Sequence, residues 1–137
     1  MLDRTVVLDA SVVVKWFHEE SGTREARALL EQIVVESIFA HVPNLLFYEV
    51  ANVLTFKPGY KPEDILEVYR TLQSLPLRVA DMSRYLEDAV RIAHHAHISV
   101  YDATYVALAH QYHISLLTAD VKLHKKFGKP LTQLLAD

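Results

Sequence analysis

The sequence contains no cysteine and few glycines, and each shortage removes a class of protein. Without cysteine the chain cannot be a disulfide-stapled scaffold. With only three glycines and five prolines, and with 51% hydrophobic and 23% charged residues, it cannot be collagen-like, low-complexity or disordered. An ordinary globular protein remains, and the length predicts a single domain over residues 1–137.

Long hydrophobic runs and a strong net charge are missing as well. The longest run of hydrophobic residues, Tyr105 to Ala109, is far below the roughly 20 residues of a membrane-spanning helix. Acids flank the first short apolar stretch, which is not the pattern of a signal peptide, so we expect a cytoplasmic protein without a membrane partner. Because the net charge is −3, a phosphate-bearing partner would have to be bound by a local site.

Short β-branched runs alternate with helical patterns along the whole chain. We predict strands over 5–8, 40–42, 77–80 and 114–117, and helices over 10–17, 22–35, 45–56, 62–74, 85–97, 102–112 and 121–127. This alternation predicts an α/β fold, a three-layer α/β/α sandwich with a mostly parallel central sheet. In the fifth helix the spacing predicts one covering face, made of Leu86, Ala89, Val90, Ala93 and His97.

Two acids follow buried strands. Asp9 comes directly after the first strand, and Asp120 follows the strand over 114–117. Open α/β sheets bind their ligands at the carboxyl ends of the strands, so this position suits a functional acid. Each residue could instead be the N-cap of the helix that follows it.

Two further acids lie in segments that are otherwise apolar. From Leu45 to Leu54 every residue is hydrophobic except Glu49 and Asn52, which are three apart and therefore share a helical face. Asp102 begins the apolar stretch over 103–109, where capping again competes with function. All four acids can converge on the carboxyl edge of one sheet.

Crowded carboxylates repel one another unless protons or cations offset their charge. An all-oxygen ligand set without cysteine suits a hard divalent cation such as Mg²⁺ or Mn²⁺. The corresponding chemistry is phosphoryl transfer or phosphodiester hydrolysis, in which the metal activates water and stabilises charge on phosphorus and the leaving oxygen.

Four motifs, in this order, resemble the PIN-domain ribonucleases, particularly the VapC-type toxins of toxin-antitoxin pairs. The motifs span essentially the whole chain: Asp9-Ala-Ser11, Tyr48-Glu49-Val-Ala-Asn52, Tyr101-Asp102-Ala-Thr-Tyr105, and Thr118-Ala-Asp120. The resemblance implies Mg²⁺- or Mn²⁺-dependent hydrolysis of RNA by Asp9, Glu49, Asp102 and Asp120. It also implies that Ser11 and Thr118 orient a carboxylate or metal-bound water.

The same resemblance implies protein partners. We expect an antitoxin and a homodimer, with contact surfaces near Trp16 or on the helix over 45–56. A solitary RNA-processing nuclease and a catalytically silent PIN-like binding module remain alternatives.

Other candidate groups have plainer explanations beside the functional one. Five histidines gather in two successive helices: His94, His95, His97, His110 and His113. The i, i+3 spacing of His94 and His97 allows zinc binding, but structural zinc sites usually need four nitrogen or sulfur ligands, and exposed helix histidines explain the pattern. Among Lys15, Lys57 and Lys61, we select Lys15 as a candidate contact to RNA, because it lies six residues beyond Asp9.

Two other function classes also place an acid after the first strand. A haloacid-dehalogenase-type phosphatase needs a second Asp two residues later, where this chain has Ser11. A response-regulator receiver domain needs paired acids on its first loop and a Lys after the last core strand, where this chain has Thr118-Ala-Asp120. Both classes are disfavoured.

Overall fold

The computed structural model of the chain describes residues 4–135. Over this range the strands are β1 (Thr5–Leu8), β2 (Phe39–Pro43), β3 (Leu77–Ala80), β4 (Ser115–Thr118) and β5 (Thr132–Leu134). The helices are α1 (Ala10–Phe17), α2 (Thr23–Val34), α3 (Leu45–Thr55), α4 (Pro62–Ser74), α5 (Leu86–Ala96), α6 (Val100–Tyr112) and α7 (Val121–Phe127). A 3₁₀ turn over Met82–Tyr85 precedes α5. No helix in this range is long and apolar enough to cross a membrane.

The five strands form one sheet in the order β3-β2-β1-β4-β5, and each neighbouring pair is parallel. Because crossovers between parallel strands are right-handed, α1 to α4 lie on one face and α5 to α7 on the other. In agreement, α1 packs on α2 and α3, whereas α6 packs on α5 and on β1, β2 and β4. The predicted three-layer sandwich is confirmed.

The strands at the centre of the sheet are buried on both faces, which explains their continuous apolar sequences. Val6, Val7 and Leu8 of β1 have no exposed surface. Helix α6 is apolar on nearly all sides because it lies between the sheet and α5, and every residue from Ala103 to Ala109 is buried. The central layers therefore form a rigid support for the residues at the strand ends.

Trp16 belongs to the core. Its side chain is 5% exposed, and its indole Nε1–H donates a hydrogen bond of 2.8 Å to the Ala26 carbonyl oxygen of α2. The ring therefore does not contribute to the dimer surface that the sequence suggested near this residue.

The buried face of α5 differs from the predicted one. Leu86 and Val90 are 52% and 49% exposed, whereas Ala89 and Ala93 are buried and pack on Ala103 of α6. His97 is exposed at the helix end. The prediction is confirmed for Ala89 and Ala93 and wrong for Leu86, Val90 and His97, because two helices that pack closely favour the small side chains at their contact.

The strand β5 was not predicted. It is three residues long and pairs with β4 at the edge of the sheet. So short a strand carries too little alternation to be recognised in sequence.

The strand order reverses direction between the neighbouring strands β1 and β4. From β1 the chain proceeds to β2 on one side, and from β4 it proceeds to β5 on the other. Loops diverge above such a point and leave a crevice at the carboxyl edge, where open α/β sheets bind ligands. Asp9 and Asp120 follow these two strands.

Candidate active site

A cavity of about 370 Å³ opens at this carboxyl edge, and all four predicted acids line it. Asp9 follows β1, Glu49 lies on α3, Asp102 lies in the first turn of α6, and Asp120 follows β4. The fold therefore brings together acids that are as much as 111 residues apart in the sequence, since 120 − 9 = 111.

Asp9 is held by two hydroxyl groups. Ser11 Oγ and Thr118 Oγ1 both donate to Asp9 Oδ2, at 2.8 and 2.7 Å. The same two oxygens accept from the backbone, since Ala119 N–H donates to Ser11 and Asp120 N–H donates to Thr118. Because each hydroxyl has one proton and its lone pairs face backbone donors, that proton is directed at the carboxylate.

The side chain of Asp9 does not cap α1. The residue occupies the N-cap position, but its carboxylate accepts no hydrogen bond from the helix in a capping geometry. The side chain is 7% exposed. Burial raises its pKa, the bonds from Thr118 and Ser11 oppose that rise, and the nearby charge of Asp120 adds to it. The plainer capping explanation is therefore excluded for Asp9.

Glu49 has an unpaired buried oxygen. Within the described chain its Oε1 has no hydrogen-bond partner, and neither has the buried hydroxyl of Tyr105. Burial raises the pKa of Glu49, the nearby Tyr105 hydroxyl opposes the rise, and the charges of Asp9 and Asp102 add to it. Tyr105 lies near enough to act electrostatically but does not meet hydrogen-bond geometry. An unpaired buried carboxylate oxygen is costly unless a ligand satisfies it.

Asp102 is free of the capping role as well. Ser99 caps α6, because its hydroxyl oxygen accepts from the Asp102 backbone N–H at 3.0 Å. The Asp102 carboxylate lines the cavity instead. Burial raises its pKa first, and the charges of Asp9 and Asp120 raise it further.

Asp120 both caps a helix and lines the cavity. Its Oδ1 accepts from the Leu123 backbone N–H at 3.1 Å and so caps α7. The exposed side chain also lines the acidic cavity. The capping explanation is thus correct for Asp120, and it does not exclude a functional role.

Three further residues that the sequence analysis named also line the cavity. Asn52 follows Glu49 by one helical turn, is exposed, and lines the cavity. Lys15 also lines it, with its ammonium bound to Glu20 and to the Ser21 carbonyl oxygen. Lys57 lines the same cavity.

Two residues at the site escaped sequence reasoning. Tyr105 was assigned only to the apolar core, although its position three residues beyond Asp102 on one helix was a usable signal. Glu20 lines the cavity as a fifth acid. Nothing distinguished it in sequence, because the pair Glu19-Glu20 reads as a solvated loop.

Over residues 4–135, no group of three or more His, Cys, Asp or Glu side chains is placed to hold a metal ion. The acids line one cavity without closing on a common point. The five helix histidines, His94, His95, His97, His110 and His113, are exposed, in agreement with their plainer explanation.

The fold and the acidic crevice define a PIN domain. The model of the PIN domain family matches residues 6–129, so the chain belongs to that family. Ribonuclease VapC3 of Pyrobaculum aerophilum is 34% identical to this chain over 134 residues, which cover 93% of this chain and 98% of that protein.

Solved structures show the same fold at lower sequence similarity. A toxin-antitoxin complex from Klebsiella pneumoniae contains a chain with a TM-score of 0.70 and 16% identity, covering 96% of this chain and 98% of that one. VapBC2 from Rickettsia felis, bound to a DNA fragment from its promoter, gives a TM-score of 0.70 with 13% identity, covering 96% of this chain and 99% of that one.

Proposed function

We propose that this chain is a divalent-metal-dependent endoribonuclease and the toxin of a toxin-antitoxin pair. The observation that carries the proposal is the convergence of Asp9, Glu49, Asp102 and Asp120 on one cavity. The similarity to Ribonuclease VapC3 over nearly the whole chain supports RNA as the substrate.

The residues present fit a hard divalent cation. Carboxylate oxygens are the ligands that Mg²⁺ and Mn²⁺ prefer. Glu49 Oε1 is buried and unpaired, and burial first, then the neighbouring charges, raise the pKa values of Asp9, Glu49 and Asp102. A cation removes both penalties. Asp9, Glu49, Asp102 and Asp120 would hold it by moving closer together as it binds, since they line one cavity without meeting at one point. Bound there, it would activate water and offset charge on the phosphate.

The chain's own residues prepare the site. Ser11 and Thr118 hold Asp9 Oδ2 in place, and the other oxygen of this carboxylate is the one that would bind the cation. Ser99 caps α6, so Asp102 is not needed for that purpose. Tyr105 lies beside Glu49 in the buried wall, where its hydroxyl favours the ionised carboxylate.

The proposal includes partners and a compartment. Structural neighbours are chains of toxin-antitoxin complexes, which supports a protein antitoxin. We also propose a homodimer that uses the exposed face of α3, where Tyr48 is 76% and Phe56 is 81% exposed. The compartment proposed is the cytoplasm, where RNA and an antitoxin would be met.

The test is cleavage of a mixed-sequence single-stranded RNA by purified wild type with Mg²⁺ or Mn²⁺, and in EDTA. We expect cleavage only with metal. Asp9→Asn and Asp102→Asn each remove one negative charge from the crowded acids at nearly constant volume, and an amide oxygen at position 9 can still accept from Ser11 and Thr118. Both should therefore melt no lower than wild type in EDTA, yet lose activity by orders of magnitude. Wild-type rates in the two variants would contradict the proposal.

A further inference from the structure

Two lysines share one carboxylate at the rim of the acidic cavity. Lys15 Nζ lies 3.2 Å from Glu20 Oε1, and Lys57 Nζ lies 3.9 Å from Glu20 Oε2. All three side chains line the cavity that contains the four acids. Lys15 comes from α1 and Lys57 follows α3, so Glu20 joins two separate elements at this point.

Lys15 is fixed along its whole length. Its side chain is only 13% exposed, and its ammonium donates to the Ser21 carbonyl oxygen as well as to Glu20. Gly22, with φ +86°, has no side chain and so leaves room for Lys15. A Cβ at this position would lie 3.3 Å from the Lys15 methylenes. Two of the three ammonium protons are used, so one remains for a ligand.

The neighbouring pair Arg27–Glu19 shows what an ordinary surface ion pair looks like here. Its side chains are 50% and 79% exposed, and it joins two residues outside the cavity lining. Such pairs contribute little to stability. The Lys15–Glu20–Lys57 cluster differs because it is half-buried and faces a cavity that is otherwise acidic.

We propose that Lys15 and Lys57 form a subsite for an RNA backbone phosphate beside the cleavage position, and that Glu20 is the residue that positions both lysines. This inference rests on the proposed function. Five acids around the cavity repel a polyanion, and two fixed ammonium groups at the rim offset that repulsion where the backbone must pass. Glu20 holds the lysines in place before RNA arrives, which lowers the entropy lost on binding.

The experiment compares Lys15→Met, Lys57→Met and Glu20→Gln with two matched controls, Glu19→Gln and Lys125→Met. Cleavage of single-stranded RNA gives KM and kcat. Fluorescence anisotropy with a labelled RNA in Ca²⁺ gives the dissociation constant without reference to cleavage. Melting temperatures show whether each variant folds.

Each lysine variant should raise KM and the dissociation constant about tenfold, as the loss of a charge-assisted hydrogen bond does, with kcat within about twofold of wild type. The salt dependence of binding should weaken by about 0.7 per lysine removed. Glu20→Gln should raise KM about threefold, and this effect should vanish when both lysines are already Met. The controls should match wild type.

Binding unchanged in Lys15→Met and Lys57→Met, with normal melting, would overturn the subsite. Tighter binding in Glu20→Gln would overturn its positioning role, because the carboxylate would then be competing with RNA. Absence of cleavage by wild type would count against the proposed function alone, since the anisotropy measurement still decides the subsite.

Discussion

At the residue scale, the charge of Asp9 depends on two hydroxyl groups that the sequence places 107 positions apart, at Ser11 and Thr118. Sequence reasoning identified both hydroxyls from family motifs, and the structure supplies the reason for their presence. Each hydroxyl donates one hydrogen bond to the buried carboxylate, while its oxygen accepts one from a backbone N–H.

Replacing Thr118 by Val removes one of these donors at nearly constant volume. We expect a loss of about 1.5–3 kcal/mol in the free energy of unfolding at pH 7, the usual range for a hydrogen bond to a charged group. The bond favours ionised Asp9, so its contribution is present above the native pKa of Asp9 and is lost as the pH falls through it.

Urea unfolding in EDTA at several pH values measures this. Thr104→Val is the matched control, because Thr104 is also buried but donates to the neutral Val100 carbonyl oxygen, and its cost should not vary with pH. A pH-independent cost for Thr118→Val would show that Asp9 is not charged in the native state.

Asp120 allows its two roles to be separated. Asparagine caps a helix as well as aspartate does, whereas alanine loses about 1 kcal/mol of stability. We therefore expect Asp120→Asn to melt like wild type and Asp120→Ala to melt lower, with both deficient in RNA cleavage. Full activity in Asp120→Asn would reduce this residue to its capping role.

At the element scale, helices α5 and α6 both end on a histidine with a left-handed backbone. His97 has φ 55° and His113 has φ 54°. Glycine adopts this conformation without a Cβ penalty, which is why it usually ends helices. These positions account for two of the histidines that the sequence left open as zinc ligands.

We expect His97→Gly to raise the free energy of unfolding by up to about 1 kcal/mol, because it removes left-handed strain. RNA cleavage should not change, since His97 lies outside the lining of the acidic cavity. Thermal denaturation and the cleavage assay measure the two effects. Lower stability together with lost activity would indicate that the imidazole has a role of its own.

The ends of strands and helices were predicted well where the sequence contains strong stop signals. Asp9 stops β1, and Lys57-Pro-Gly follows α3, so both boundaries were read within about one residue. The predicted face of α5 was too wide: it included Ala89 and Ala93, which pack on Ala103, but also Leu86 and Val90, which are exposed, because a hydrophobicity pattern does not show how closely two helices approach. The four acids were found because each interrupts an apolar pattern, whereas Glu20 interrupts none.

At the scale of the whole molecule, exposed aromatic side chains on α3 and directly after it, Tyr48 and Phe56, form the surface proposed for the homodimer. Phe56→Lys places a cation at the helix C-terminus, where the dipole favours it, so the monomer should stay folded. Light scattering at high micromolar concentration should show a dimer for wild type and a monomer for Phe56→Lys. The control Val35→Lys, at a similarly exposed position directly after α2, should stay dimeric. A monomeric wild type would contradict the proposed dimer.

We propose that the four cavity acids, which come from four separate segments, act together as one divalent-metal site. The most direct measurement is the rise in melting temperature that Mn²⁺ produces in EDTA-treated, desalted protein, compared among wild type, Asp9→Asn, Glu49→Gln, Asp102→Asn and Asp120→Asn. Exposed Glu63→Gln, outside the cavity, is the control.

Ligand binding to the folded state raises stability in proportion to RT ln(1 + [L]/Kd). We predict a concentration-dependent rise for wild type and the control, and a much smaller rise for each of the four cavity variants. No rise in wild type, or an equal rise in all variants, would contradict the account.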